Sequence, residues 1–262
     1  MQNAALEVLG LADEWSYGAL DVEPAEFADR VRKLPEEGYV GVNVTIPHKR
    51  AALELSDQAS EAAREIGAAN TLSFADGQIR AENTDATGLL SALRAPPAGK
   101  TALVLGAGGS ARAAAWTLAD RGASVSVWNR TSERAEELAS DVGGAAAEGR
   151  VAAVGEREAR AGSFDLIVNC TAVGMGEEDP FEQLPLDPER FAAGITVVDL
   201  VYAGGESRLV REARERGAQV VDGLEVLVQQ GAESLRLWTG MSPPLDVMRD
   251  AVRQDPREED DD

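Results

Sequence analysis

A short apolar run that ends in glycines and opens a helix limits the folds open to this chain more than any other feature. Thr101-Ala-Leu-Val-Leu105 is followed at once by Gly106-Ala107-Gly108-Gly109-Ser110-Ala111, and then by an alanine-rich stretch to about Arg121. The first segment reads as a strand buried on both faces and the last as a helix. The glycine pattern fits G-x-G-x-x-G/A, and strand-before, helix-after is the context that gives this pattern meaning. Gly106 permits the tight turn, Gly108 lets backbone approach a pyrophosphate, and small Ala111 allows close helix–sheet packing. The free N–H groups and positive dipole end of the helix then favour an anion.

Strands and helices alternate through the rest of this half. Strands are expected at 124–128, 164–169 and 195–200, helices at 132–140 and 206–216, and closing helices at 223–239 and 243–253. Apolar strands alternating with helices imply a parallel sheet covered on both faces. The first half reads differently. Met1–Gly10 has the pattern of an amphipathic helix, 14–22 that of a strand, and Pro24 opens a helix to about residue 37. Gly38–Thr45 is a β-rich run that Pro47 ends. A short helix is expected over 57–66, a hairpin at Ala75-Asp76-Gly77 between strands 70–74 and 78–81, and a helix from Asn83-Thr84-Asp85 to about Arg94. Ala95-Pro-Pro-Ala-Gly99 is the one Pro/Gly-rich hinge in this half. The fold class is therefore α/β in two parts. An N-terminal α/β domain is expected over 1–97, closed by a helix over 240–254, and a Rossmann domain over 98–239, with a cleft between them. The acidic tail 255–262 is expected to be disordered.

The end of the second strand of a dinucleotide domain decides which dinucleotide binds. An NAD enzyme normally carries Asp or Glu there for the ribose hydroxyls. Here the chain reads Asn129-Arg130-Thr131-Ser132-Glu133-Arg134. Arg130 and Arg134, with the Thr131 hydroxyl, suit a dianionic 2′-phosphate, so the expected cofactor is NADP.

Composition narrows the chemistry. In 262 residues, Cys170 is the single cysteine and His48 the single histidine, so no intramolecular disulfide, cysteine cluster or multi-histidine metal site can form, and no metal is expected. The formal net charge is −21, which repels nucleic acid and anionic membrane. There is neither an apolar run of membrane-spanning length nor a signal peptide's basic start and apolar core, so the expected location is cytoplasmic. Lys33, Lys49 and Lys100 are the only lysines, so chemistry that needs an ammonium group has three candidates.

Polar residues gather where strands of the first half end: Asn43-Val-Thr45-Ile-Pro-His-Lys49, Gly67-Ala-Ala-Asn70-Thr71 and Asn83-Thr-Asp85. Ligands of open α/β sheets bind outside the carboxyl ends of strands. Thr45, Lys49, Asn70 and Asp85 would then converge, offering hydroxyl, ammonium, amide and carboxylate to a polyhydroxylated molecule. Lys49 beside Asp85 would be a coupled acid/base pair.

These segments, with Gly106–Gly109, Asn129–Thr131, Asn169–Met175, Asp222-Gly-Leu224 and Gln230, resemble the shikimate dehydrogenase family in order and spacing over nearly the whole chain. The pairing of Asn-Val-Thr-Ile-Pro-His-Lys with Asn-Thr-Asp is the specific part. The resemblance implies a substrate domain, an NADP-binding Rossmann domain, and reversible NADPH-dependent reduction of 3-dehydroshikimate to shikimate by a monomer or homodimer. It implies catalysis by Lys49 and Asp85, substrate contacts from Thr45, Asn70, Tyr202 and Gln230, and cofactor contacts from Gly106–Ser110, Asn129–Thr131, Arg134, Leu200 and Gly223. Two alternatives stay beside it: a quinate/shikimate dehydrogenase, and an NADP-binding regulator without catalysis. At its start the chain departs from the family, whose members begin with a strand and a loop bearing two serines for the substrate carboxylate. Here the chain opens in the helix that follows: either the true start lies upstream of Met1 or this is a truncated form, and an in-frame upstream strand followed by Ser-x-Ser would restore the carboxylate site.

Overall fold

A computed structural model describes residues 1–142, 149–176, 178–202 and 205–254. They form two compact units: Met1–Gly88 with the chain from Leu227 onward, and Leu89–Val226. The expected acidic tail, 255–262, lies outside the described residues. Among the described residues no helix is long and apolar enough to cross a membrane.

The first unit holds α1 (Gln2–Val8), α2 (Phe27–Lys33), β1 (Gly41–Asn43), α3 (Lys49–Leu55), β2 (Gln58–Ala59), α4 (Glu61–Ile66), β3 (Thr71–Ala75), β4 (Gln78–Glu82) and the start of α5 (Thr84–Ala92). Its sheet has the order β1-β3-β4-β2, with β2 parallel to β4 and the other pairs antiparallel. The β3–β4 hairpin closes at Asp76-Gly77, both at positive φ, as a two-residue turn requires. Three expectations fail here. Residues 14–22 form no strand, because the Asn3 side chain takes both backbone groups of Tyr17, at 2.7 and 3.0 Å. The helix expected over 57–66 begins only at Glu61. Ser60 is extended and caps it through the Ala63 N–H, while Gln58 and Ala59 pair with β4. The run Gly38–Thr45 keeps a strand of three residues and then turns, with His48 N–H bonded to the Thr45 carbonyl at 2.9 Å.

The second unit is built on β5 (Thr101–Leu105), α6 (Gly109–Asp120), β6 (Ser124–Trp128), α7 (Ser132–Asp141), β7 (Val151–Ala153), α8 (Glu156–Ala161), β8 (Leu166–Asn169), α9 (Pro180–Gln183), β9 (Thr196–Asp199), α10 (Arg208–Glu215) and β10 (Gln219–Val221). All six strands are parallel, in the order β10-β9-β8-β5-β6-β7. Alternate residues of each strand enter different cores. Ala102, Val104, Val125, Val127 and Val168 pack under the alanines of α6, and Leu103, Leu105, Ile167 and Val197 pack with Leu209 and Ala213 of α10. This two-sided burial is why runs such as Ala102–Leu105 and Leu166–Val168 are continuously apolar. Strands β7 and β10, three residues each at the two edges, are too short to show a periodicity in the sequence.

Two further helices, α11 (Gly223–Thr239) and α12 (Leu245–Arg253), end the described chain. Val228, Ala232 and Leu235 of α11 pack with Ala5 and Leu6 of α1 and Met248 of α12, whereas Val226 joins the core of the second unit. The units therefore divide at 88/89 and 226/227 rather than at 97/98 and 239/240, because most of the apolar face of α11 is spent on the first unit.

Candidate functional site

Three of the four residues expected to converge, Lys49, Asn70 and Asp85, are joined by hydrogen bonds, and Gln230 lies beside them. Lys49, at the start of α3, is buried, and its Nζ lies 2.5 Å from Asp85 Oδ2 on α5. The two side chains are 10% and 18% exposed, sheltered but within reach of a ligand. Asp85 Oδ1 accepts a bond of 2.8 Å from Asn70 Nδ2, which also lies 3.3 Å from Gln230 Oε1. Thr45, the fourth residue, stands exposed in the turn before α3. The cap of α5 is Asn83, whose Oδ1 accepts from Ala86 N–H while its Nδ2 donates to the Ala68 carbonyl. Asp85 is thus relieved of capping and turned to Lys49. His48 has a packing role: its ring stacks on Phe27 at 4.5 Å and its Nε2 lies 2.9 Å from the Val22 carbonyl.

Sequence reasoning missed the groups that aim Asn70. Its Oδ1 accepts from Thr84 N–H at 2.7 Å, Thr84 Oγ1 at 3.1 Å and Thr71 Oγ1 at 3.2 Å. An amide oxygen with three donors cannot exchange places with its nitrogen, so the NH2 must face Asp85. Ser234 joins the two threonine hydroxyls, at 2.9 and 3.1 Å, and accepts from Asn43 Nδ2 at 2.7 Å. Its spacing of four from Gln230 puts both on one helix face, a signal present in the sequence. Gly88 brings that face close, since a Cβ built there would stand 2.7 Å from Gln230 Cβ and 2.8 Å from its backbone nitrogen. Gly88→Ala is expected to lower stability by about 1–3 kcal/mol through overpacking, with exposed Thr87→Ala as the control. Equal denaturant midpoints for the two variants would refute this contact.

In the second unit the glycine turn stands at the carboxyl end of β5, where the chain first runs to β6 on one side and later returns through β8 on the other. Gly106 has φ +107, and a Cβ there would come within 3.2 Å of the Cys170 carbonyl. At Gly108, the cap of α6, a Cβ would meet nothing within 4 Å, so backbone faces open space. Ala107, Gly109 and Ser110 complete the turn and are part-buried. After β6, Asn129 Nδ2 holds the Thr131 carbonyl at 2.9 Å. Thr131 caps α7 without a side-chain bond, and Arg130, Thr131 and Arg134 are exposed around that helix start. Leu200 is part-buried after β9, Tyr202 is 48% exposed, and Gly223 lies so close that a Cβ would stand 2.9 Å from the Leu200 carbonyl carbon.

A parallel sheet with a glycine turn at its switch point, joined to a smaller α/β unit holding a sheltered ammonium–carboxylate pair, is the make-up of a two-domain, dinucleotide-dependent oxidoreductase. Three family models match: the shikimate dehydrogenase substrate binding domain over residues 1–72, shikimate / quinate 5-dehydrogenase over 91–175, and the shikimate 5′-dehydrogenase C-terminal domain over 223–253. The chain belongs to the shikimate dehydrogenase family. It is 43% identical to the shikimate dehydrogenase (NADP(+)) of Methanothermobacter thermautotrophicus, over 97% of this chain and 90% of that protein. The corresponding protein of Methanopyrus kandleri is 42% identical over 96% and 89%. The crystal structure of shikimate 5-dehydrogenase from Thermus thermophilus in complex with NADP(H) and shikimate matches with a TM-score of 0.83 and 40% identity, covering 96% of this chain and 92% of that one.

Proposed function

We infer that this protein is an NADP-dependent shikimate dehydrogenase, reducing 3-dehydroshikimate to shikimate and running the reverse reaction. One observation carries the reading: Lys49 Nζ stands 2.5 Å from Asp85 Oδ2 while Asn70 holds the other oxygen of that carboxylate. The second unit fits the cofactor. The open backbone over Gly108 leaves room for a pyrophosphate at the start of α6, and Arg130, Thr131 and Arg134 suit a 2′-phosphate. NADPH supplies the hydride when it is bound, and NADP+ accepts it in the reverse direction. Ala107, Gly109, Ser110, Asn129, Leu200 and Gly223 complete the cofactor contacts.

In reduction, the Lys49 ammonium donates a hydrogen bond to the substrate carbonyl oxygen and then a proton to the alkoxide that forms there. Asp85 holds Lys49 in place and accepts a bond from a neighbouring ring hydroxyl. Asn70, Gln230, Thr45 and Tyr202 contact the remaining polar groups of the ring. In oxidation the neutral Lys49 amine takes the hydroxyl proton. The protein acts in the cytoplasm as a monomer or homodimer; with one cysteine it needs no oxidising compartment to complete its fold. Purified protein given shikimate and NADP+ is expected to produce NADPH, seen by its near-ultraviolet absorbance. Quinate with NADP+, and shikimate with NAD+, are expected to give much less. No reduction of NADP+ by shikimate, from protein that binds both, would refute the activity.

A further inference from the structure

The carboxylate of Asp199, at the carboxyl end of β9, is fully buried and takes no part in the chemistry above. Three neutral donors surround it. Asn169 Nδ2, at the end of β8, donates to Oδ1 at 2.9 Å, and Val201 N–H donates to the same oxygen at 3.1 Å. Ser207 Oγ lies 2.5 Å from Oδ2 and caps α10 by accepting from Val210 N–H. Burial pushes the Asp199 carboxyl above its ordinary value, so an acid here costs stability compared with an apolar residue unless its bonds serve a purpose.

Those bonds shape the ends of two adjacent strands. Asn169 also holds the chain after β8: its Oδ1 accepts from Thr171 N–H and Oγ1, its Nδ2 donates to the Val173 carbonyl, and Val173 N–H donates to Thr171 Oγ1. That turn lies against Gly106, where an added Cβ would meet the Cys170 carbonyl oxygen and Thr171 Cγ2. On the other side, Asp199 fixes the N–H of Val201, between Leu200 and Tyr202. In a doubly wound sheet the dinucleotide lies across the carboxyl ends at the switch point. One half lies over β5 and β6, where the arginines are, and the other over β8 and β9.

We propose that Asp199 is a positioning residue for the nicotinamide half of the cofactor: it locks the chain after β8 to the chain after β9 and so sets the backbone of Leu200 and the placement of Tyr202. This rests on the NADP-dependent reading above. The test uses the whole protein and two ligands, NADPH and 2′,5′-ADP, the latter carrying the adenosine and 2′-phosphate but no nicotinamide. Asp199→Ala is expected to lower kcat by about tenfold to a hundredfold, the scale of a misplaced reacting group. It should weaken NADPH several-fold and leave 2′,5′-ADP affinity within about twofold. Asp199→Asn keeps the accepting oxygen for Asn169 and Val201 and offers an N–H to Ser207, so it should restore most of the activity. If Asp199→Ala does not fold, Ser207→Ala, which leaves the carboxylate and two donors, is expected to show the same split at smaller size. Equal losses for NADPH and 2′,5′-ADP, or no loss in a folded variant, would overturn the proposal. A wild-type protein that binds NADPH but does not oxidise shikimate would overturn the substrate reading alone, since the affinity comparison still decides the role of Asp199.

Discussion

Lys49→Ala should leave the protein folded and able to bind NADPH while lowering kcat by about a hundred- to ten-thousandfold, the range a positioned proton donor contributes. The direction follows from what remains. Without the ammonium group, the oxygen that becomes an alkoxide has no charged donor from this pair, and Asp85 is left as a carboxylate facing it. Charge of the wrong sign beside a developing anion raises the barrier further. The structural cost is smaller than removing half of a deeply buried ion pair, which runs to about 3–5 kcal/mol. Asp85 keeps the 2.8 Å bond from Asn70 and is 18% exposed, so water can solvate it. Lys49→Arg is the informative companion. It keeps the charge but replaces a compact ammonium by a planar fork that does not give up its proton. If kcat depends on proton transfer and not on charge alone, Lys49→Arg stays nearly as slow as Lys49→Ala. The measurement is steady-state kinetics with shikimate and NADP+, beside NADPH titration and a melting curve for each variant. A folded Lys49→Ala protein within tenfold of wild-type kcat would remove Lys49 from the chemistry.

What makes this pair legible without coordinates is local. Lys49 follows a proline at the end of a β-rich run, and Asp85 sits two residues past an asparagine that caps its helix, so both belong to segments whose ends turn chemistry is good at marking. The parallel sheet is legible for a similar reason: runs such as Ala102–Leu105, buried on both faces, have no polar residue to confuse the pattern. Reading fails where a tertiary partner replaces a local signal. Residues 14–22 read like a strand, but the backbone N–H and carbonyl of Tyr17 are taken by the Asn3 side chain. Ser60 ends one element and starts another inside what reads as a single helix. Sequence order puts helix α11 in the dinucleotide domain because it follows that domain's last strand, yet its buried face answers to α1 and α12. The same holds within the site. Asn70 is visible, but Thr71, Thr84 and Ser234, which decide which way its amide points, are brought together across as many as 163 residues of sequence. Asp199 is hidden differently: it ends an apolar run like any strand-terminal polar residue, and only burial with three donors separates it from a surface acid.

Arg130→Ala should weaken NADP+ by about tenfold to a hundredfold, the scale of one charge-assisted hydrogen bond to a phosphate, and change NAD+ affinity by less than about twofold. The two dinucleotides differ only in the 2′-phosphate, so the ratio of their affinities isolates the group that Arg130 is taken to hold. Two opposing fields bear on that ratio. The chain carries a net −21 and repels an added dianion at long range. That repulsion is screened beyond about 10 Å at 0.1 M salt, whereas a guanidinium in contact with the phosphate acts inside the screening distance. The local contact should therefore win at ordinary ionic strength, and NADP+ should remain preferred. Arg134, one helical turn on, shares the task, so Arg130→Ala with Arg134→Ala should lose more than either alone and bring the NADP+/NAD+ ratio toward one. Glu133 lies between them in the first turn of α7. Its removal in Glu133→Gln should shift the ratio the other way, by less, because it takes a like charge away from the same phosphate. Calorimetric titration of both dinucleotides against each variant reads the ratio directly. Parallel losses for NADP+ and NAD+ in Arg130→Ala would place that arginine elsewhere on the cofactor, and a ratio unmoved by the double variant would take the 2′-phosphate away from this helix start altogether.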